Sequence, residues 1–213
     1  MSTAPDNNRH EWAEVGAAVV LGVAGLLTSW STYQASLWDG EQAAHYSQAN
    51  ATRVEASEAA IRANQREAVE IGLFTQWLNA QAHGDEKLAE FFRARFPPEL
   101  AGPFEAWLVL RPLQNPKAPL SPFDDGGFKP LGREHAAQLE AQADAMFQSG
   151  QRANQISDAY VQATVFCATA LFFAGIGQVF RVWLVRMVLV ALAAAGCAIA
   201  IVRVLALPIQ GLA

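Results

Sequence analysis

Residues Val15–Trp38 read VGAAVVLGVAGLLTSWSTYQASLW and contain no Asp, Glu, Lys or Arg. Trp12 precedes this stretch, and Trp30 and Tyr33 lie towards its other end. A helix rises about 1.5 Å per residue, so Trp12 and Tyr33 are roughly 32 Å apart, close to the hydrocarbon thickness of a bilayer. Indole and phenol rings favour the headgroup level of a membrane. The stretch therefore predicts a transmembrane helix, which we place at residues 12–38.

One face of this predicted helix consists of small residues only. Steps of four and three residues give the stripe Ala18, Gly22, Gly25, Ser29, Thr32 and Ser36. Helices in lipid associate through close backbone approach and interhelical hydrogen bonds, because lipid tails are as apolar as Leu. We expect this stripe to be a helix-packing interface. Packing against other spans of the same chain is the favoured arrangement; packing between copies of the chain and the lining of a polar pore are the alternatives.

The composition agrees with a membrane protein. Of the 213 residues, 52% are hydrophobic and 16% are charged, whereas about a quarter are charged in a typical soluble domain. The net charge of −5 leaves no basic stripe, which argues against nucleic acid as a partner. Both cysteines, Cys167 and Cys197, fall in apolar stretches, so a disulfide framework or a cysteine-based zinc site is excluded from the water-facing part.

Two further apolar stretches lie near the C-terminal end of the sequence. We predict a second span at residues 161–180, a tight turn at residues 181–186 (RVWLVR) and a third span at residues 187–207. The second span has its own small-residue series, which we also assign to helix packing: Ala163, Cys167, Ala170, Ala174 and Gly177.

The polar segment between the first two spans, residues 39–160, predicts a helical extramembrane domain. Helix-forming residues continue from the first span to Ala82, with Gly40 as the only breaker, and predict one helix from about Glu11 to Ala82. A second helical pattern runs from Arg133 to Phe180 without proline. We expect an all-α fold in which these two helices pair as an antiparallel, coiled-coil-like hairpin. Residues 1–11 are expected to form a polar tail.

Residues 83–132 predict a proline-rich tip, because eight of the ten prolines lie between Pro97 and Pro130. We expect one short helix after Asp85 and another that starts at Pro103, since proline suits the first turn of a helix. Aromatic residues are frequent in and near the tip: Phe74, Trp77, Phe92, Phe96, Phe104 and Trp107. They predict a small aromatic core; the alternative is an exposed patch on which a protein partner docks.

Motifs for catalysis are absent from the sequence, which contains no phosphate-binding glycine loop, nucleophile elbow or HExxH run. Glu41 and His45 are four residues apart on one helical face, with Asp39 nearby. They are weak metal-ligand candidates that would need a further ligand from a second helix, such as Asp158. A hydrated cluster at the membrane interface is the favoured interpretation. We therefore expect no enzyme activity, no metal and no cofactor.

The sequence resembles a family of bacterial inner-membrane proteins that carry a domain of unknown function. The resemblance covers nearly the whole chain and depends on four segments: Thr28–Asn50, Phe74–Ala80, Arg95–Leu108 and Ala153–Ile176. It implies one span, a helical insert and a closing two-span hairpin in the bacterial inner membrane, and it implies no activity.

Charges near the predicted span ends set the expected orientation. Arg9, Arg181 and Arg186 lie on one side, and Arg152 and Arg203 lie on the other. Cytoplasmic loops carry the excess of Lys and Arg, which favours a cytoplasmic N-terminus and an extracytoplasmic helical domain. The leading functional hypothesis is a self-associating membrane scaffold or interaction protein with the lipid bilayer as its environment. The alternative is an oligomeric channel with a Ser/Thr-lined first span.

Overall fold

The structure, a computed structural model, describes residues 4–124 and 127–211. The regular structure of these residues consists of helices only, which confirms the predicted all-α class. Residues 1–3 of the expected tail and residues 125 and 126 of the expected tip lie outside the described residues. The described part contains five helices: α1 (Ala4–Ala82), α2 (Glu86–Arg93), α3 (Pro98–Val109), α4 (Arg133–Gly177) and α5 (Trp183–Leu205).

Three of these helices, α1, α4 and α5, are long and apolar enough to cross a membrane. This confirms the predicted number of candidate spans and agrees with a multi-pass membrane protein. In such a helix every backbone N–H and C=O group is bonded within the segment, which the hydrocarbon region requires.

Helix α1 is continuous across Gly40. A glycine within a helix costs only about 1 kcal/mol relative to alanine, and the helix-forming residues on both sides outweigh this cost. The helix also begins at Ala4, whereas the sequence predicted a polar tail over residues 1–11.

The turn between α4 and α5 is displaced towards the N-terminus of its predicted position. Helix α4 ends at Gly177, and α5 begins at Trp183 after an extended residue, Val182. Arg186, which the sequence placed in the turn, therefore lies in the first turns of α5. Gly177 permits close packing here, because a Cβ at this position would lie 3.3 Å from the Cβ of Leu189.

The contacts divide the chain into two compact units, which we describe separately. The span unit comprises Met1–Ser47 and Met146–Ala213, and the insert unit comprises Gln48–Ala145.

In the insert unit, short helices α2 and α3 follow α1. The Asp85 side chain caps α2 by accepting a hydrogen bond from the Leu88 N–H at 3.0 Å, and Gly84 before it has a φ of +71°, which favours glycine. Helix α3 begins at Pro98, so the predicted start at Pro103 is wrong. Proline at the first helical position costs no hydrogen bond, and Pro103 is accommodated inside the helix.

Between residues 48 and 69, the buried residues of α1 are alanines seven residues apart: Ala49, Ala56 and Ala63. Branched residues are on the other side, and Val54 and Ile61 are exposed. Helix α4 contributes buried alanines as well: Ala136 and Ala143. Ion pairs join the two helices, between Arg53 and Asp144 at 2.9 Å and between Glu67 and Arg133 at 2.6 Å.

Candidate functional site

The small-residue stripe of α1 faces away from the rest of the span unit. Ala18, Gly22, Ser29, Thr32 and Ser36 are exposed. Gly25 is half-buried, and neither at this residue nor at Gly22 would an added Cβ meet any atom within 4 Å. The favoured interpretation, that this stripe packs against other spans of the same chain, is therefore wrong. The stripe remains an open helix surface.

The second small-residue series packs inside the span unit. Its members on α4 are all buried: Ala163, Cys167, Ala170, Ala174 and Gly177. They meet α1 at Ala24 and α5 at Ala193, Cys197 and Ala200, which are also buried. The Cβ of Ala170 lies 3.6 Å from the position that a Cβ on Gly196 would take. Small side chains thus bring the three helices into close contact.

The face that α1 turns inwards is a neighbouring small-residue series. Ala17, Ala24 and Ser31 are seven residues apart and are completely buried. This series is offset by one residue from Ala18, Gly25 and Thr32, which corresponds to a rotation of about 100° around the helix.

Polar side chains of α1 and α4 hold residues 208–210, which follow α5 in the span unit. The Gln34 side chain is completely buried; its Nε2 donates to the Gln210 carbonyl at 3.0 Å, and its Oε1 accepts from the Gln210 N–H at 2.9 Å. The Tyr160 hydroxyl and the Trp38 Nε1 both donate to the Pro208 carbonyl, at 3.1 and 3.3 Å. We call these contacts the C-terminal clasp.

A charged pair joins α1 to α5 in the span unit. Arg186 is buried, and its Nη2 lies 3.1 Å from the Glu14 Oε1. The side chain of Glu14 is 61% exposed, so the pair opens to the surface on one side only. Burial of a guanidinium requires such a partner.

The predicted metal candidates do not form a metal site. No group of three or more His, Cys, Asp or Glu side chains that could hold a metal ion occurs within residues 4–124 and 127–211. Asp39 and Glu41 are exposed, and His45 is half-buried. Asp158, the proposed further ligand, accepts a hydrogen bond from Asn154 at 3.0 Å.

The aromatic residues near the predicted tip pack on one another in the insert unit. Trp77, Phe96, Phe104 and Trp107 are buried, and Phe92 packs against them. Phe104 makes edge-to-face contacts with Trp77 and Phe96, with ring centroids 4.7 and 4.9 Å apart. The Trp107 Nε1 donates to the Pro119 carbonyl at 2.8 Å. The alternative of an exposed docking patch is therefore wrong for the four buried rings.

Comparisons of the chain with protein-family models, curated proteins and solved structures find no match.

Sequence reasoning missed three buried polar residues: Gln34, Glu70 and Arg186. For Gln34, the available signal is its position on the same helical face as Ala24 and Ser31. For Arg186, the signal is an arginine inside an apolar run without a neighbouring acid. Glu70 follows Ala63 by seven residues and so continues the series of buried alanines on α1. A carboxylate at such a position is unusual, because burial opposes its charged form.

Proposed function

We propose that this protein is a non-enzymatic scaffold or interaction protein of the bacterial inner membrane, which associates with copies of itself through the outward face of α1. The observation that carries the proposal is the exposed stripe from Ala18 to Ser36, where an added Cβ at Gly22 or Gly25 would meet no atom within 4 Å. A helix surface of this kind allows the backbone of a second helix to approach closely.

The packing inside the span unit supports this use of the stripe. In the larger buried cluster between α1, α4 and α5, the buried residues are Ala and Cys, as at Ala24, Cys167 and Ala193. The outward stripe has the same size of side chain and three hydroxyl groups in addition. Hydroxyl groups at a helix interface in lipid can form interhelical hydrogen bonds.

We extend the proposal to the arrangement of the helices in the extramembrane part. We infer that residues 39–160 form an antiparallel, coiled-coil-like hairpin with a proline-rich tip. Arg53 pairs with Asp144, and Glu67, further along α1, pairs with Arg133, which is earlier in α4. This order and the seven-residue spacing of the buried alanines support the hairpin. The charge balance supports a cytoplasmic N-terminus and an extracytoplasmic hairpin, and the family resemblance supports the bacterial inner membrane.

Disulfide crosslinking in lipid tests the self-association. A cysteine in place of the exposed Ser29 should give a covalent dimer when the protein is oxidised in liposomes. The native thiols of Cys167 and Cys197 are buried and should not react. A cysteine in place of Ala191, which is exposed on α5, is the matched control. A second change, Gly25→Leu, should abolish the Ser29→Cys dimer by preventing close approach.

The self-association proposal fails if Ser29→Cys yields no more dimer than Ala191→Cys. It also fails if Gly25→Leu leaves the dimer yield unchanged, because random collision would then explain the crosslink.

An oligomeric channel is the second candidate function. The observation in its favour is the exposure of three hydroxyl side chains on one face of α1: Ser29, Thr32 and Ser36. In a channel these groups would line water, and Ser29→Leu should change the conductance of reconstituted bilayers. In a scaffold the bilayer should remain non-conducting with either protein.

A further inference from the structure

The insert unit contains a pocket of about 470 Å³ that none of the contacts described above uses. One wall is the α1 surface that includes Arg66, Val69 and Glu70, and the facing wall is formed by Pro97 and Glu99 at the start of α3. The volume is within the range of small-molecule sites, about 300–1,000 Å³.

Glu70 is the unusual residue of this pocket. It is 4% exposed, and its Oε2 has no hydrogen-bond partner among the residues that the structure describes. Buried carboxylates are normally paired or hydrogen-bonded, because desolvation opposes the charged form. The fold therefore contains a buried carboxylate oxygen that no described residue satisfies.

The neighbouring acids and bases differ in whether they have partners. Glu67 is paired with Arg133 at 2.6 Å, and Arg62 is paired with Glu58 at 2.8 Å. Arg66 lies one helical turn before Glu70, on the same face of α1. No ion pair of Arg66 within 4.0 Å occurs in the described part of the chain.

The electrostatics of the pocket favour a bound cationic group near Glu70. Burial raises the pKa of the Glu70 carboxyl, the charges of Glu99 and Glu67 raise it further, and the charge of Arg66 lowers it. An ammonium group beside Glu70 and Glu99 would offset both the desolvation and the repulsion between the carboxylates.

We propose that this pocket binds a small zwitterion with an apolar side chain, of the class of the aliphatic amino acids. Its ammonium group contacts Glu70 and Glu99, its carboxylate contacts the Arg66 guanidinium, and its side chain lies against Val69 and Leu131. A planar guanidinium is suited to bidentate contact with a carboxylate. The site is independent of the α1 stripe, so the proposed self-association and this binding can fail separately.

Calorimetry on the full-length protein in detergent tests the proposal with three probes that share the isobutyl side chain of leucine. L-leucine carries both charged groups, 3-methylbutylamine carries only the ammonium, and 4-methylpentanoate carries only the carboxylate. We expect saturable binding of leucine and at least tenfold weaker binding of the other two. The absence of leucine binding, or equal affinity for leucine and the amine, would overturn the proposal.

Variants of the charged residues test the site itself. Glu70→Gln, Glu99→Gln and Arg66→Gln should each weaken leucine binding at least tenfold. Glu140→Gln, at an exposed position of α4, is the matched control and should bind as the wild type does. Unchanged leucine affinity in Glu70→Gln contradicts the assignment.

A stability measurement separates a binding role of Glu70 from a structural one. Because the folded-state pKa of Glu70 is raised, ionisation opposes folding at neutral pH, and this cost disappears as the pH falls below the unfolded value. The charges of Glu99, Glu67 and Arg66 act on Glu70, and Arg62 also lines the pocket. Glu70→Gln should therefore raise the melting temperature without ligand at pH 7, and raise it by less at pH 4. A lower melting temperature would show that the carboxylate serves the fold, which overturns the proposal.

Discussion

In the span unit the larger of two buried clusters between the helices consists of Ala and Cys, such as Ala24, Ala170 and Cys197, and the smaller one also contains Tyr160 and Val204. In the insert unit the largest buried cluster consists mainly of aromatic rings, such as Phe74, Trp77 and Phe104. Both clusters are largely closed to solvent, but their side chains differ several-fold in volume.

This difference fits the two solvents that we propose, lipid around the span unit and water around the insert unit. In water, burial of apolar area stabilises the fold by about 25 cal/mol per Å², so large rings contribute most. In lipid, apolar side chains gain little from leaving the solvent, and close contact between helix backbones contributes instead. Many bulky residues of the span unit accordingly point outwards, as Leu26, Phe172 and Leu184 do, whereas Tyr160 is buried and donates its hydroxyl to the Pro208 carbonyl.

The largest loss of stability is expected from truncation of the aromatic core of the insert unit. Phe104→Ala removes a completely buried ring that contacts Trp77 and Phe96, which should cost about 3–5 kcal/mol. Hydrogen exchange of the α3 amides should accelerate correspondingly. Leu120→Ala, at a side chain that is 90% exposed, is the control and should change stability by less than about 0.5 kcal/mol.

An intermediate loss of stability is expected when a larger side chain is placed in the close-packed interior of the span unit. Ala170→Leu places a large side chain where α4 meets Gly196 of α5, which should cost about 1–3 kcal/mol. The melting temperature in detergent measures this loss. Ala168→Leu, at an exposed position of the same helix, should leave the melting temperature nearly unchanged. Equal effects of the two variants would refute the idea that close contact stabilises the span unit.

The smallest loss of stability is expected from removal of a surface charge pair. Such a pair belongs neither to the aromatic core nor to the small-residue helix contacts. Glu58→Gln removes the 2.8 Å ion pair with Arg62, whose side chain is 70% exposed. Exposed pairs of this spacing contribute about 0.3–0.5 kcal/mol, so denaturant unfolding should shift only slightly. The shift should decrease with added salt, and a shift above about 1 kcal/mol would indicate a role beyond the surface pair.

The helices could be predicted from the sequence because their signals are local. Long apolar stretches, helix-forming residues across Gly40 and the clustering of prolines depend only on neighbouring residues. The inward series from Ala163 to Gly177 on α4 could also be predicted, since most flanking positions carry bulkier or more polar side chains.

The direction in which α1 faces could not be predicted in the same way. Its two small-residue series, Ala17–Ser31 and Ala18–Thr32, are equally compatible with close packing, and only the positions of α4 and α5 distinguish them. The pocket around Glu70 was missed for a similar reason. Glu70 and Glu99 belong to different helices, and their proximity depends on the chain path between them.

The C-terminal clasp has a consequence for which substitutions the chain tolerates. Gln34 binds only main-chain atoms of residue 210, so these two hydrogen bonds do not depend on the side chain at that position. Proline is the exception, because it has no N–H group to donate to the Gln34 Oε1. A change of residue 210 to anything but proline therefore keeps both hydrogen bonds, whereas position 34 must supply both an amide donor and an amide acceptor.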